Sequence, residues 1–187
     1  MDSSADDALR RTGTRVLVRP LELGDEAAFI AASQRSRELH RPWVAPPDNP
    51  AAFRTLLGRT EQPNFAAFAA LERTGGELCG AFNLSEIVRG AFQSSYLGYQ
   101  AFAPWAGQGL MGEALELLLE IVFDGLELHR VEANVQPGNS ASIALVRGRG
   151  FRQEGFSPRY LKLGGEWRDH ERWALLEEDW RARRRLG

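Results

Sequence analysis

Between residues 109 and 124 apolar and acidic positions separate at helical spacing. Met111, Leu115, Leu118 and Val122 share one face, and Leu110, Ala114, Leu117 and Ile121 widen it. Glu113, Glu116, Glu120 and Asp124 recur opposite, the pattern of a helix lying on a sheet. Period-two or β-branched runs surround this helix. Residues 14–19 predict a strand closed by Pro20, and 65–71, 77–84 and 94–102 predict three antiparallel strands, the first two joined by a Gly75-Gly76 turn. Residues 129–135 predict another, and 160–163 with 166–176 a hairpin turning at Gly164-Gly165. Shorter helices are expected from about residue 25 through 30, over 51–59, and after the N-cap Asn139, with Gly148 and Gly150 as stops. Residues 40–50, HRPWVAPPDNP, hold four of the nine prolines and predict a loop. This order predicts mixed α/β, an antiparallel half leading into a βαβ half. One domain over 14–180 would lie between a disordered lead, 1–13, and a basic tail, 181–187.

Composition narrows the function. A chain of 187 residues fits one domain burying roughly 70% of its unfolded surface. A net charge of −2 gives no overall field that would recruit nucleic acid or an anionic membrane. The local exception, Arg181, Arg183, Arg184 and Arg185, reads as a solvated helix end complementing the helix dipole. Cys79 is the single cysteine, which excludes an internal disulfide, and its apolar surroundings make it a small core residue. The start, MDSSADDALRR, is acidic where a signal peptide is basic, and the longest apolar run, 65–71, is too short to span a bilayer. A cytoplasmic monomer or homodimer without a metal is expected.

The run from Gly107 to Gly112, GQGLMG, spells G-x-G-x-x-G after a strand and at the mouth of the long helix. Its amides point along the helix's positive end, a good place for a pyrophosphate, and glycine lets the backbone approach. A nicotinamide or flavin site does not fit. The loop follows an antiparallel meander, the acid twenty residues beyond Gly112 is Glu132 in mid-strand, and about 75 residues remain, too few for a doubly wound sheet.

The stretches RGAFQSSYLGYQ, GQGLMGEAL, HRVEANVQPGNSAS, GRGFRQEGF and YLKLGGEWRDHERWAL resemble, in joint order and spacing, the GNAT N-acetyltransferases, and within them the RimJ/RimL-type enzymes that acetylate protein N-termini. The resemblance implies an acyl-CoA N-acyltransferase fold with a splayed strand pair, acetyl-CoA as cosubstrate, and a protein N-terminus or a small amine as acceptor. It assigns the pyrophosphate to Gly107, Gln108, Gly109, Leu110, Met111 and Gly112. The pantetheine falls to the backbone of Tyr99, Gln100 and Ala101 and to Asn139. Two departures stand out. Ala106 replaces the family's first Arg or Gln, and Gly148 replaces a cation near the adenosine, with Arg147 and Arg149 flanking it.

Acetyl transfer needs a neutral amine, and a backbone N–H near Gln100 or Ala101 would stabilise charge on the carbonyl oxygen by about 3 kcal/mol. The family's usual glutamate base and tyrosine acid fall on Asn134 and Val146, so neither role transfers. The resemblance offers Ser142 as the acid protonating the departing thiolate. The carboxylate base of that subgroup falls on Arg159, leaving Glu86 as substitute. Asp169 and His170 face opposite sides of a strand and cannot act together; Asp169 reads as structural. Trp43, Tyr160 and Trp167 are candidate walls of the acceptor cleft.

Overall fold

The computed structural model describes residues 9–186. Among them an eight-stranded sheet runs in the order β1-β2-β3-β4-β5-β6-β8-β7. Its strands are β1 (Arg11–Thr12), β2 (Val16–Pro20), β3 (Phe65–Glu72), β4 (Leu78–Val88), β5 (Ser94–Ala101), β6 (Arg130–Val135), β7 (Arg152–Leu163) and β8 (Glu166–Leu176). The helices are α1 (Glu26–Arg35), α2 (Arg37–His40), α3 (Pro50–Gly58), α4 (Leu110–Glu120), α5 (Ser140–Gly148) and α6 (Glu177–Leu186). Neighbouring strands are antiparallel except β5 and β6. The mixed α/β architecture with a mostly antiparallel sheet, expected from the pattern, is the one observed.

Alternation along the strands divides the core into two layers. Phe68, Ala70, Phe82, Leu84, Leu97, Val131 and Ala133 face α4, whose Leu115, Leu118 and Leu119 are fully buried against them. The opposite residues of β3 and β4, with Phe29 of α1, Phe53 of α3 and Phe102, form a second layer in which Phe29 contacts both other rings. That layer covers only the N-terminal half of the sheet. Beyond β4 the same face is left open, and a cleft forms there.

Four expectations change. β8 pairs with both β6 and β7, so it inserts between them and the βαβ half contains a single parallel pair. β7 begins at Arg152, well before residue 160, because it pairs across two irregularities. Met111 leaves the buried stripe of α4 and lies over Gly80, where an added Cβ would meet its sulfur at 2.2 Å. The Gly75-Gly76 turn is wider than two residues: the Glu72 amide donates to the Glu77 carbonyl, and the Glu72 carboxylate accepts from the Thr74 and Gly75 amides.

The chain's ends also depart from the expected lead and tail. Residues 11–12 pair with β2, while residues 1–8 lie outside the described residues. Three of the four arginines of α6 are ion-paired to α4 or the residues just after it, while Arg185 is exposed as expected. Arg183 pairs with Glu116 at 2.7 Å, Arg184 with Glu120 at 3.0 Å and Arg181 with Asp124 at 2.9 Å. Glu113, the remaining member of that acidic stripe, accepts from the Arg15 amide at 2.7 Å. Trp180, 1% exposed, packs on Phe123 and donates to Glu116. The polar face of α4 is therefore a clamp that gathers β2 and α6. No helix among the described residues is long and apolar enough to cross a membrane.

Candidate active site

Strands β5 and β6 pair in parallel at Ser94↔Arg130, Ser95↔Val131 and Tyr96↔Glu132, and then part. Residues 97–101 and 133–135 run on without pairing to one another, which leaves a gap in the middle of the sheet. Two cavities meet at this gap. One, of about 680 Å³, runs along the α4 mouth and is lined by His40, Ala101, Ala106, Gly107, Gly109, Met111, Gly112 and Arg149. The other, of about 460 Å³, opens on the uncovered face and is lined by Asn83, Glu86, Tyr96, Asn134, Tyr160 and His170. Trp43, Tyr99, Gln100, Asn139 and Ser142 line both.

The groove is made mainly of backbone. Gly107 and Gly109 each have φ of 79°, in the left-handed region where a side chain is strained. Among the described residues the amides of Gly107, Gln108 and Gly109 make no hydrogen bond, and those of the first turn of α4 have no partner within the helix. The Gly112 amide is different: it donates to the Gly109 carbonyl at 3.2 Å and is used by the fold. Leu110 is buried in the core, and the Gln108 side chain turns back to donate to the Pro104 carbonyl, so both offer main chain alone.

Cations flank the loop. Arg15 donates to the Gln108 carbonyl at 3.2 Å, and its guanidinium lies 3.4 Å from where a Gly109 Cβ would be. Arg149 reaches Gly112 from α5, whereas Arg147 stacks on Trp173 and stays out of the groove. Sequence reading missed Arg15, which sits 93 residues from Gln108 with no local signal. His40 was missed too; its Nε2 donates to the Ala101 carbonyl at 2.7 Å.

At the junction, Asn139 caps α5 by accepting from the Ser142 amide at 3.1 Å. The Ser142 hydroxyl meets the Tyr99 hydroxyl at 2.5 Å. Burial pushes the Tyr99 phenol up to about 12, against the Ser142 hydrogen bond, so it stays protonated. Tyr99 therefore places a side chain at the junction, where only its backbone was expected to matter.

The open-face cleft owes its shape to two bulges. In β4 the register slips between Ser85 and Val88, and Glu86 takes φ 50°. In β7 it slips between Ser157 and Leu161, where Pro158 and Arg159 (φ 48°) interrupt the ladder. Asp169 accepts from the Arg159 amide at 2.7 Å and holds this second bulge, a structural part as expected. Bulges re-aim side chains, and here Glu86 and Tyr160 line the cavity. Trp43 lines it from the proline-rich loop, its carbonyl held by Gln136 at 3.0 Å. Trp167 does not. It sits two residues past the Gly164-Gly165 turn, opposite Lys162, 59% exposed and outside both cavities.

The arrangement presents a main-chain anion cradle, a slot beside unpaired strand edges, and a hydroxyl pair at the slot's end. Among the described residues no cluster of His, Cys, Asp or Glu is arranged to hold a metal.

Residues 15–152 match the family model described as an acetyltransferase (GNAT) domain. The chain is 32% identical over 180 residues to the ribosomal protein uS5-alanine N-acetyltransferase of Escherichia coli (strain K12), covering 92% of this chain and 93% of that one. It is 30% identical over 178 residues, 89% of this chain and 97% of the relative, to the probable N-acetyltransferase YjcK of Bacillus subtilis (strain 168). Among solved structures, Mycobacterium smegmatis RimJ in complex with CoA-disulfide superposes with a TM-score of 0.78 at 29% identity, over 87% of this chain and 82% of that one.

Proposed function

This chain belongs to the GNAT acetyltransferase family, and from that premise we propose that it carries the acetyl group of acetyl-CoA to the α-amino group of a protein N-terminus. The observation that carries the acceptor half is the chemistry of the open-face cleft. Its lining is aromatic, aliphatic and amide, with His170 and with Glu86 as the one carboxylate among the described residues. A polyamine or aminoglycoside, with several ammonium groups, calls for several carboxylates; a single terminal amine on a neutral peptide does not.

The groove fits the donor. The amides of Gly107, Gln108, Gly109, Leu110 and Met111 would hold the pyrophosphate, and Arg15 and Arg149 add the charge that Ala106 and Gly148 lack. Asn139 and the free edge of residues 99–101 would hold the pantetheine, with His40 fixing the Ala101 carbonyl. When bound, acetyl-CoA supplies an acyl thioester. The Ser142 hydroxyl, resupplied by the Tyr99 phenol, is placed to give a proton at the sulfur end.

An α-amino group of pKa about 8 is roughly 10% neutral at pH 7, whereas a lysine near 10.4 is neutral in fewer than about one molecule in a thousand. Deprotonating a lysine costs roughly 3 kcal/mol more, so a site with few charged groups suits a terminal amine.

Release of CoA thiol with short peptides beginning Ala, Ser or Thr, set against spermidine and free amino acids, tests the acceptor. Peptide-dependent release is expected, with Ser142→Ala lowering kcat about 100-fold at unchanged CoA affinity. Preference for spermidine would sink the acceptor assignment and leave the acetyltransferase standing. CoA binding with no release from any amine would leave only a binding module.

A further inference from the structure

We propose that His170 is the general base of this site, taking the proton of the acceptor amine on its Nε2. The assignment rests on the N-acetyltransferase reading above and fills the role that Arg159 and Asn134 leave vacant.

Three observations carry it. His170 is 2% exposed, yet it is part of the wall of the acceptor cleft. Its Nδ1 faces the Arg168 carbonyl at 3.0 Å, an acceptor only, so Nδ1 carries the proton and Nε2 is left with a lone pair. Among the described residues that Nε2 has no hydrogen-bond partner, and it is not sealed inside the protein.

Placement across the sheet is the third. Strand alternation puts His170 and Arg172 on the open face, with Asn134 opposite Arg172 in register. Tyr99 packs toward the α4 layer, where it meets Ser142. Base and acid thus stand on opposite faces of the gap between β5 and β6. An amine entering from the open face and a sulfur leaving toward α5 require that arrangement. Glu86, by contrast, is exposed at a bulge on β4.

The proton account closes. The amine lone pair forms the N–C bond to the acetyl carbonyl carbon while one amine proton passes to Nε2. The C–S bond breaks, the sulfur takes the Ser142 proton, and Tyr99 resupplies Ser142. The proton that His170 then gives to water balances the one Tyr99 takes back. Asn134, whose buried Oδ1 has no partner among the described residues, offers an acceptor for the amine's remaining N–H.

Burial lowers the His170 pKa, opposed by the Arg168 carbonyl and by Asp169, so the ring is neutral at pH 7. The other titratable or charged groups around it are Tyr160 on β7 at 6.1 Å between rings, Tyr96 on β5, Glu132 on β6, Glu86 on β4, and Arg168 and Arg172 on β8. Tyr96, bonded to Tyr160, is pushed up to about 12 and stays neutral.

The test uses the full chain. His170→Asn keeps an amide N–H for the Arg168 carbonyl and removes the base. It is expected to lower kcat/KM for an N-terminal peptide about 100-fold, remove the histidine ionisation from the acid limb of the pH profile while that of the amine itself stays, and leave CoA affinity unchanged. Imidazole should restore part of the rate to His170→Ala. Independently of turnover, ¹⁵N NMR of the wild-type histidines should show His170 neutral at pH 7 with its proton on Nδ1. A wild-type rate and acid limb in His170→Asn overturn the proposal, as does an Nε2 proton in the NMR, which decides even if the variants do not fold. Wild-type protein that binds CoA but acetylates no amine fails the function reading instead.

Discussion

The groove at the mouth of α4 and the cleft on the open face share one wall but are built by different means. The groove takes about half of its wall from one stretch, 99–112, which works through main chain, glycine conformation and a helix end. The cleft draws side chains from the proline-rich loop and from β4, β5, β6, β7 and β8, two of them aimed by bulges. A phosphate is recognised by any correctly oriented N–H, so a contiguous backbone suffices for it. An acceptor must be told from its competitors by side-chain chemistry, which a sheet can only assemble from strands distant in sequence.

Three experiments separate the two regions or bring them down together. Trp180→Ala should affect both, because it removes the buried ring that seats α6 on α4 and one of the partners of Glu116. A loss of about 3–5 kcal/mol in unfolding free energy is expected by chemical denaturation. A loss near zero would mean that α6 is not part of the cooperative unit. Gly109→Ala should damage the groove alone: its φ of 79° strains any Cβ by about 1–2 kcal/mol. Calorimetry should show weaker CoA binding of about tenfold, while the KM for the acceptor stays put.

The smallest effect concerns pH. His40 in the groove and His170 in the cleft are both buried, and burial is the first cause lowering each pKa. The unfolded chain then binds protons at a pH where the folded one does not. The stability this contributes is present above the ordinary histidine value of about 6.5 and is lost as pH falls through the lowered folded values. A falling melting temperature over that window is expected, reduced in His40→Gln and in His170→Asn separately. An unchanged melting temperature in wild type would remove the sign assigned to both rings.

The same contrast explains which features are legible in the sequence. The GQGLMG loop, the Asn139 cap and the core-facing leucines of α4 follow from spacings within a few residues, and all three form as expected. The insertion of β8, the bulges at Glu86 and Arg159, and the clamp of α6 on Glu116, Glu120 and Asp124 depend on partners far along the chain. Period-two counting places Asp169 and His170 on opposite faces correctly, yet it gives no hint that the His170 face lines a cavity. Trp167 was misplaced for the complementary reason: its aromatic character says nothing of how near the turn its strand position falls.

The parting of β5 from β6 after three register pairs gives the sheet two blades on a short common seam. Edges of this kind ordinarily invite another chain to add a strand and start a fibre, but here they face each other across a slit rather than the solvent. An extended arm sliding in between them would satisfy both. Whatever lies in the slit and bonds to both edges also rivets the blades.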